Sequence, residues 1–140
     1  MKKDNLIALC IALIVLLFTY TGVGKLLDYD QFVFQMRLAP LPLMITIAPV
    51  LGIAVPAVEL LIAAGLLTGR YRTRALYTTI ILLSSFEIYI AGMLLTGRHL
   101  PCTCGGIISK MGWGQHLLFN LLFIGIAIAA IIMIKNFSRG

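Results

Sequence analysis

Four apolar runs, each close to the about 20 residues a helix needs to cross a bilayer, take up most of this chain. They run from Leu6 to Gly24, Leu43 to Leu67, Ala75 to Thr96 and Trp113 to Ile134. Backbone groups in hydrocarbon must be satisfied within the segment, so such runs are read as helices. The short gaps between them predict an all-α integral membrane protein: a four-transmembrane-helix bundle in up-down-up-down order. No repeat, low-complexity tract or linker divides residues 1–140, so a single membrane domain is expected. Only 11% of residues are charged, against about 25% in a soluble domain. That excludes a water-soluble enzyme, a disordered tail and a nucleic-acid binder.

The net charge of +6 is read as flanking charge that sets membrane orientation. Lys2, Lys3, Arg70, Arg72, Arg74, Lys135 and Arg139 fall on one face, and Lys25, Arg37, Arg98 and Lys110 on the other. The excess predicts both termini in the cytoplasm and the third loop, Gly97 to Gly112, outside. Met1-Lys2-Lys3 before an apolar stretch has the look of a signal peptide. Without a small-x-small cleavage site, and with the apolar run continuing to Gly24, a retained helix is expected.

Between the first two spans, Asp28-Tyr29-Asp30 can cap a short helix. Phe32, Val33 and Met36 would then share one face. This predicts an interfacial helix lying on the membrane from about Gln31 to Leu38, ended by Pro40 and Pro42; a plain anchored loop is the alternative.

The third loop carries Pro101-Cys102-Thr103-Cys104-Gly105-Gly106. Two cysteines two apart can close a disulfide only where the backbone bends sharply. The flanking proline and glycines supply such bends. Exposed disulfides in tight rings are the exchange-prone ones, and the outer face is oxidising. The leading reading is a redox-active dithiol. Cys102 and Cys104, with His99 and His116 flanking them, could instead hold a soft metal such as Cu(I), Zn or Hg(II), although a closed structural zinc site wants four ligands. Two small residues in a glycine-rich turn, with no chemistry, is the third reading. Cys10, at the other end of the first span, is expected to be a buried apolar thiol.

Glu59 and Glu87 are the acidic residues within the spans. Counted from Arg70 and Arg74, both lie about 16 to 20 Å along their helices, so they could meet at similar depth. A carboxylate in hydrocarbon is costly, so both should face the bundle interior. Gly52, Pro56, Glu59 and Ala63 share a face at three-to-four spacing, as do Ser84, Glu87 and Ala91, the pattern of close helix packing in lipid. With no lysine or arginine counted inside the spans, at least one acid is expected to carry a proton. Proton relay or quinone-site polarity is one role for them, and a hydrogen-bonded helix staple is the other. His116 and Asn120, one turn apart at the start of the last span, face the same way. His116 could lower a thiol pKa as imidazolium or accept its proton, while Trp113 fits an interfacial anchor. A hydrogen-bonding pair that only ties helices together competes with that role.

PCTCGG in the third loop followed by WGQHLLFN resembles the methylamine-utilisation MauE family, within the wider DoxX-like membrane group. Gly22-Val23-Gly24-Lys25-Leu26-Leu27 with Phe32 looks like a DoxX-type start, and Pro56-Ala57-Val58-Glu59 like the group's proline-to-glutamate segment. The resemblance covers nearly the whole chain, with Gly106 where the family usually has phenylalanine and His116 replacing a less polar residue. It implies maturation of the disulfide-rich small subunit of methylamine dehydrogenase, together with a thioredoxin-like periplasmic partner. By position, Cys102 and Cys104 would be the exchanging pair, and Glu59, Trp113 and Asn120 family-pattern residues.

The function expected from these readings is a bacterial inner-membrane thiol–disulfide redox or maturation factor acting on a periplasmic, disulfide-bearing protein. Electrons would pass to that partner or to a quinone, because no second cysteine pair is present to carry them across the bilayer. Cys102, Cys104 and His116 are the candidate catalytic residues. A soft-metal-handling membrane protein and a non-catalytic subunit of a larger membrane complex are the competing classes.

Overall fold

The computed structural model describes residues 2–37, 42–95 and 113–139. It is all-α: α1 (Lys3–Leu27), α2 (Tyr29–Arg37), α3 (Pro42–Leu67), α4 (Arg72–Leu95) and α5 (Trp113–Arg139). Four of these, α1, α3, α4 and α5, are long and apolar enough to cross a membrane. They fall on the four apolar runs and extend them by up to five residues at an end. Helices overrun the hydropathy window because polar residues at the ends cost nothing where the segment leaves the hydrocarbon.

Helix α1 gives way to α2 at one residue, Asp28, whose φ of −109° and ψ of 41° are non-helical. The Asp28 N–H still bonds the Gly24 carbonyl at 3.0 Å, and the Asp28 carbonyl accepts from Phe32 N–H at 3.0 Å. Both helices therefore run antiparallel to α3 in succession. Gly22 lies against Pro56 and Leu60 of α3, while Tyr29 and Val33 lie against Gly52. A Cβ at Gly52 would stand 2.7 Å from both the Tyr29 ring and Val33, so only glycine permits this approach. Tyr29 Oη also donates to the Pro49 carbonyl at 2.8 Å.

A helix forms over nearly the predicted residues, but its apolar face is not laid on the lipid. Phe32, Val33 and Met36 are buried with Ala48 of α3 in a small core of their own. An amphipathic face is satisfied equally by lipid or by a neighbouring helix, and the gap left by Gly52 decides for the neighbour. Phe34, on the opposite side, is exposed.

The main core lies among α1, α3, α4 and α5, with Ile14, Phe18, Leu66, Leu76, Ala127 and Ala130 almost fully enclosed. Enclosed alanines on α5 let backbones approach, the usual device of helix packing without a hydrophobic drive. Leucines and isoleucines such as Leu16, Leu61 and Ile88 point outward, as a lipid-facing surface requires. Cys10 is buried in this core as a free thiol, as expected. The α3–α4 turn is tight, and Arg72 Nε donates to the Leu66 carbonyl at 3.3 Å, satisfying one of the orphan carbonyls at the end of α3.

Candidate functional site

The predicted face of α3 turns inward as a unit, with Gly52, Pro56, Glu59 and Ala63 all buried. Glu59 is 1% exposed, and its partner is Lys25 of α1, at 4%. Lys25 Nζ donates to Glu59 Oε1 at 2.5 Å. Thr21, one turn earlier on α1, places its hydroxyl 3.3 Å from Glu59 Oε2 and 2.9 Å from the Leu17 carbonyl. Its single proton serves one acceptor at a time.

The ammonium is held on further sides by aromatic rings. Lys25 Nζ lies 5.5 Å from the centroid of Phe32 on α2 and 4.9 Å from that of Phe86 on α4. The negative faces of such rings attract a cation, more strongly where water is excluded. One buried charge thus draws on four helices. The expectation that no cation within the spans neutralises the acid fails for Glu59. Lys25 reads as a loop charge in the sequence because the apolar run stops at Gly24, but α1 continues to Leu27 and the lysine stem reaches inward.

The fifth helix completes the site. His116 and Asn120 of α5 are both buried, at 3% and 4%. They line a cavity of about 20 Å³ whose other polar walls are Thr21, Lys25 and Glu59. Phe18, Phe86 and Phe119 supply much of its apolar wall. Glu87, on α4, approaches Asn120 and His116, yet Glu87 Oε1 and Asn120 Nδ2 each have no hydrogen-bond partner among the described residues. The two intramembrane acids therefore differ: Glu59 has an ammonium and a hydroxyl as partners, whereas Glu87 Oε1 has none among the described residues.

His116 is three residues into α5, about 5 Å along the axis from its start. The polar cavity consequently sits at the end of α5 that receives the 96–112 segment. Cys102, Cys104 and His99, the remaining candidate site residues, lie outside the described residues, as do the glycines that follow the cysteine pair. Among the described residues, no three His, Cys, Asp or Glu side chains converge as a metal site. The arrangement places a carboxylate, an imidazole and an ammonium around one small cavity inside an otherwise apolar bundle.

The family model for the methylamine utilisation protein MauE matches residues 3–133. The chain belongs to the MauE family. No curated protein and no solved structure gives a significant match. Among the residues singled out from sequence, four now have a common setting in this MauE-family bundle: Glu59, Glu87, His116 and Asn120. Lys25, Thr21, Phe32 and Phe86 gain their part in the site from the structure alone. The available signal was the i, i+4 spacing of Thr21 and Lys25, which puts hydroxyl and ammonium on one face of α1 beside an acid-bearing span.

Proposed function

We propose that this MauE-family chain, as one membrane domain, is a thiol–disulfide redox or maturation factor of the bacterial inner membrane. Cys102 and Cys104 face the periplasm in this reading and exchange with a disulfide-bearing protein, methylamine dehydrogenase being the family's expected client. The observation that carries the reading is the Cys102-Thr103-Cys104 run in the segment joining α4 to α5, within a match to a methylamine-utilisation family. The charge tally supports the orientation. With Lys25 paired inside the bundle, seven basic residues on the side of both termini oppose Arg37, Arg98 and Lys110 on the other.

In the exchange, one cysteine thiolate attacks a sulfur of the partner's disulfide and forms a mixed disulfide. The second cysteine resolves it, leaving the chain's pair oxidised and the partner's pair reduced. Two electrons move to the partner and the two thiol protons end on its sulfurs; the reverse direction obeys the same balance. In this reading His116, near the start of α5, takes the proton from the attacking thiol, an imidazole being a common proton acceptor.

Trapping tests the reading. Cys102→Ser and Cys104→Ser are introduced singly into the full chain in membranes, and mixed disulfides are sought on non-reducing gels followed by mass spectrometry. One single variant should accumulate a mixed disulfide with a periplasmic protein, and the double variant none. Equal capture by the double variant, or none by either single one, contradicts the reading. Metal bound stoichiometrically and lost with both thiols would instead favour the soft-metal class.

A further inference from the structure

We infer that the groove between α3 and α4, at the end of the bundle where the two helices join, is the seat of one anionic phospholipid. Arg74 and Arg70 hold its phosphate, and one acyl chain lies along α3. The inference uses only described residues and does not depend on the thiol chemistry proposed above.

Shape specifies the tail. The groove measures about 490 Å³. Ala64, Gly65 and Ala75 line it with small residues, and the helices approach so closely there that a Cβ at Gly65 would stand 3.3 Å from that of Ala75. Val58, Leu61 and Ile62 carry the groove onward along α3 as an apolar wall. Leu61 is 71% exposed, so this wall is open to the surrounding hydrocarbon. From Thr68 to Val58 the groove descends about 15 Å along the helix axis. That is the depth of one leaflet, half of an about 30 Å hydrocarbon core.

Charge specifies the head. Arg74 and Tyr71 line the groove where α3 passes into α4, and the Arg70 guanidinium stands 5.6 Å from the centroid of the Tyr71 ring. Among the described residues, no acidic side chain lines the groove. The Thr68 and Thr78 hydroxyls donate to the Ala64 and Arg74 carbonyls of their own helices, at 3.0 and 2.9 Å. The donors left for a ligand are therefore the two guanidinium groups and the Tyr71 hydroxyl. A guanidinium presents paired N–H donors that match phosphate oxygens. A zwitterionic headgroup would bring its ammonium against two guanidiniums with no acid to receive it, whereas phosphatidylglycerol brings a phosphate and an uncharged polyol. Basic pockets between transmembrane helices take anionic lipid headgroups by this chemistry. A second groove at the same end, bordered by α1 and α5, differs in charge. There Arg72 is accompanied by Asp4, and its Nε already donates to the Leu66 carbonyl.

Native mass spectrometry of the purified full chain tests this, with phosphatidylglycerol and phosphatidylcholine of the same acyl chains added in equal amounts. The first bound lipid should be phosphatidylglycerol. Arg74→Gln and Arg70→Gln should each lower its preference over phosphatidylcholine about fivefold, the scale of one cation at an anionic lipid. Ala64→Phe, which fills the groove without changing charge, should abolish the first phosphatidylglycerol adduct. Lys3→Gln, which removes a cation from the start of α1, should leave the preference unchanged. Equal binding of the two lipids overturns the inference, as does a preference that survives both Arg74→Gln and Ala64→Phe or falls as far in Lys3→Gln. Loss of a dimer in Ala64→Phe would likewise overturn it, because a second copy would then cover the groove. Should Ala64→Phe lose its monodisperse state, the comparison of Arg74→Gln with Lys3→Gln decides alone.

Discussion

Lys25 and Glu59, 34 residues apart in sequence, form an ion pair in the interior of the helix bundle. Desolvating two charges is expensive, and their attraction repays it only with good geometry and further partners. Those partners are the Thr21 hydroxyl and the rings of Phe32 and Phe86. The pair therefore ties α1 to α3 and recruits α2 and α4.

Removing one member of this pair leaves the other as an uncompensated buried charge. Lys25→Met and Glu59→Gln should each destabilise the bundle, Lys25→Met by about 3 to 5 kcal/mol in the range measured for broken buried pairs. The double variant Lys25→Met/Glu59→Gln should recover most of that loss. Thermal unfolding in a single detergent measures it. Additive losses in the double variant would mean that the two residues do not act as a pair.

The α2–α3 contact depends on the missing side chain at position 52. Gly52→Ala would push a methyl to 2.7 Å from the Tyr29 ring, which is itself fixed to the Pro49 carbonyl. Overpacking of this kind costs about 1 to 3 kcal/mol. Gly24→Ala meets nothing within 4 Å and should change stability by less than about 0.5 kcal/mol. Equal effects of the two substitutions on the unfolding temperature would refute the packing of α2 against α3.

Much of this fold is legible in the sequence, and the misses have definite causes. Hydropathy locates the four spans because a bilayer imposes its thickness on any chain that crosses it. The small-residue spacing around Glu59 marks the inward face of α3 for a related reason. A carboxylate and a glycine on one stripe of an apolar helix are costly against lipid and useful against a neighbouring helix. Lys25 escapes the same reading because an apolar run ends at the first charge, whereas a helix ends where its hydrogen bonds do. Nor does hydropathy distinguish a helix that buries its apolar stripe in lipid from one that buries it on α3. Only the coincidence of Gly52 with Tyr29 and Val33 across the hairpin makes that choice.

Tyr29 offers a finer test of the hairpin. Tyr29→Phe removes the hydroxyl that donates to the Pro49 carbonyl at 2.8 Å and leaves the ring in place. A net loss of about 1 kcal/mol is expected, typical for one hydrogen bond. No measurable loss in the unfolding temperature would mean that α2 is not held at that height on α3.

Cysteine accessibility separates the core thiol from the loop pair. Cys10 is 8% exposed and packed in the main core, so a membrane-permeant maleimide should leave it unmodified in native membranes and label it on denaturation. Rapid labelling of Cys10 in a Cys102→Ser/Cys104→Ser background would contradict the packing of α1 described above.

The central claim is that Cys102 and Cys104 work as a redox pair, and their state in intact cells tests it most directly. Cells are acid-quenched, denatured and labelled with a mass-adding maleimide, with and without prior reduction. The chain has three cysteines, and Cys10 is free. The account predicts one addition without reductant and three with it, the difference disappearing in the Cys102→Ser/Cys104→Ser variant. Three additions in both samples, with no mixed disulfide trapped by either single cysteine variant, would contradict the account.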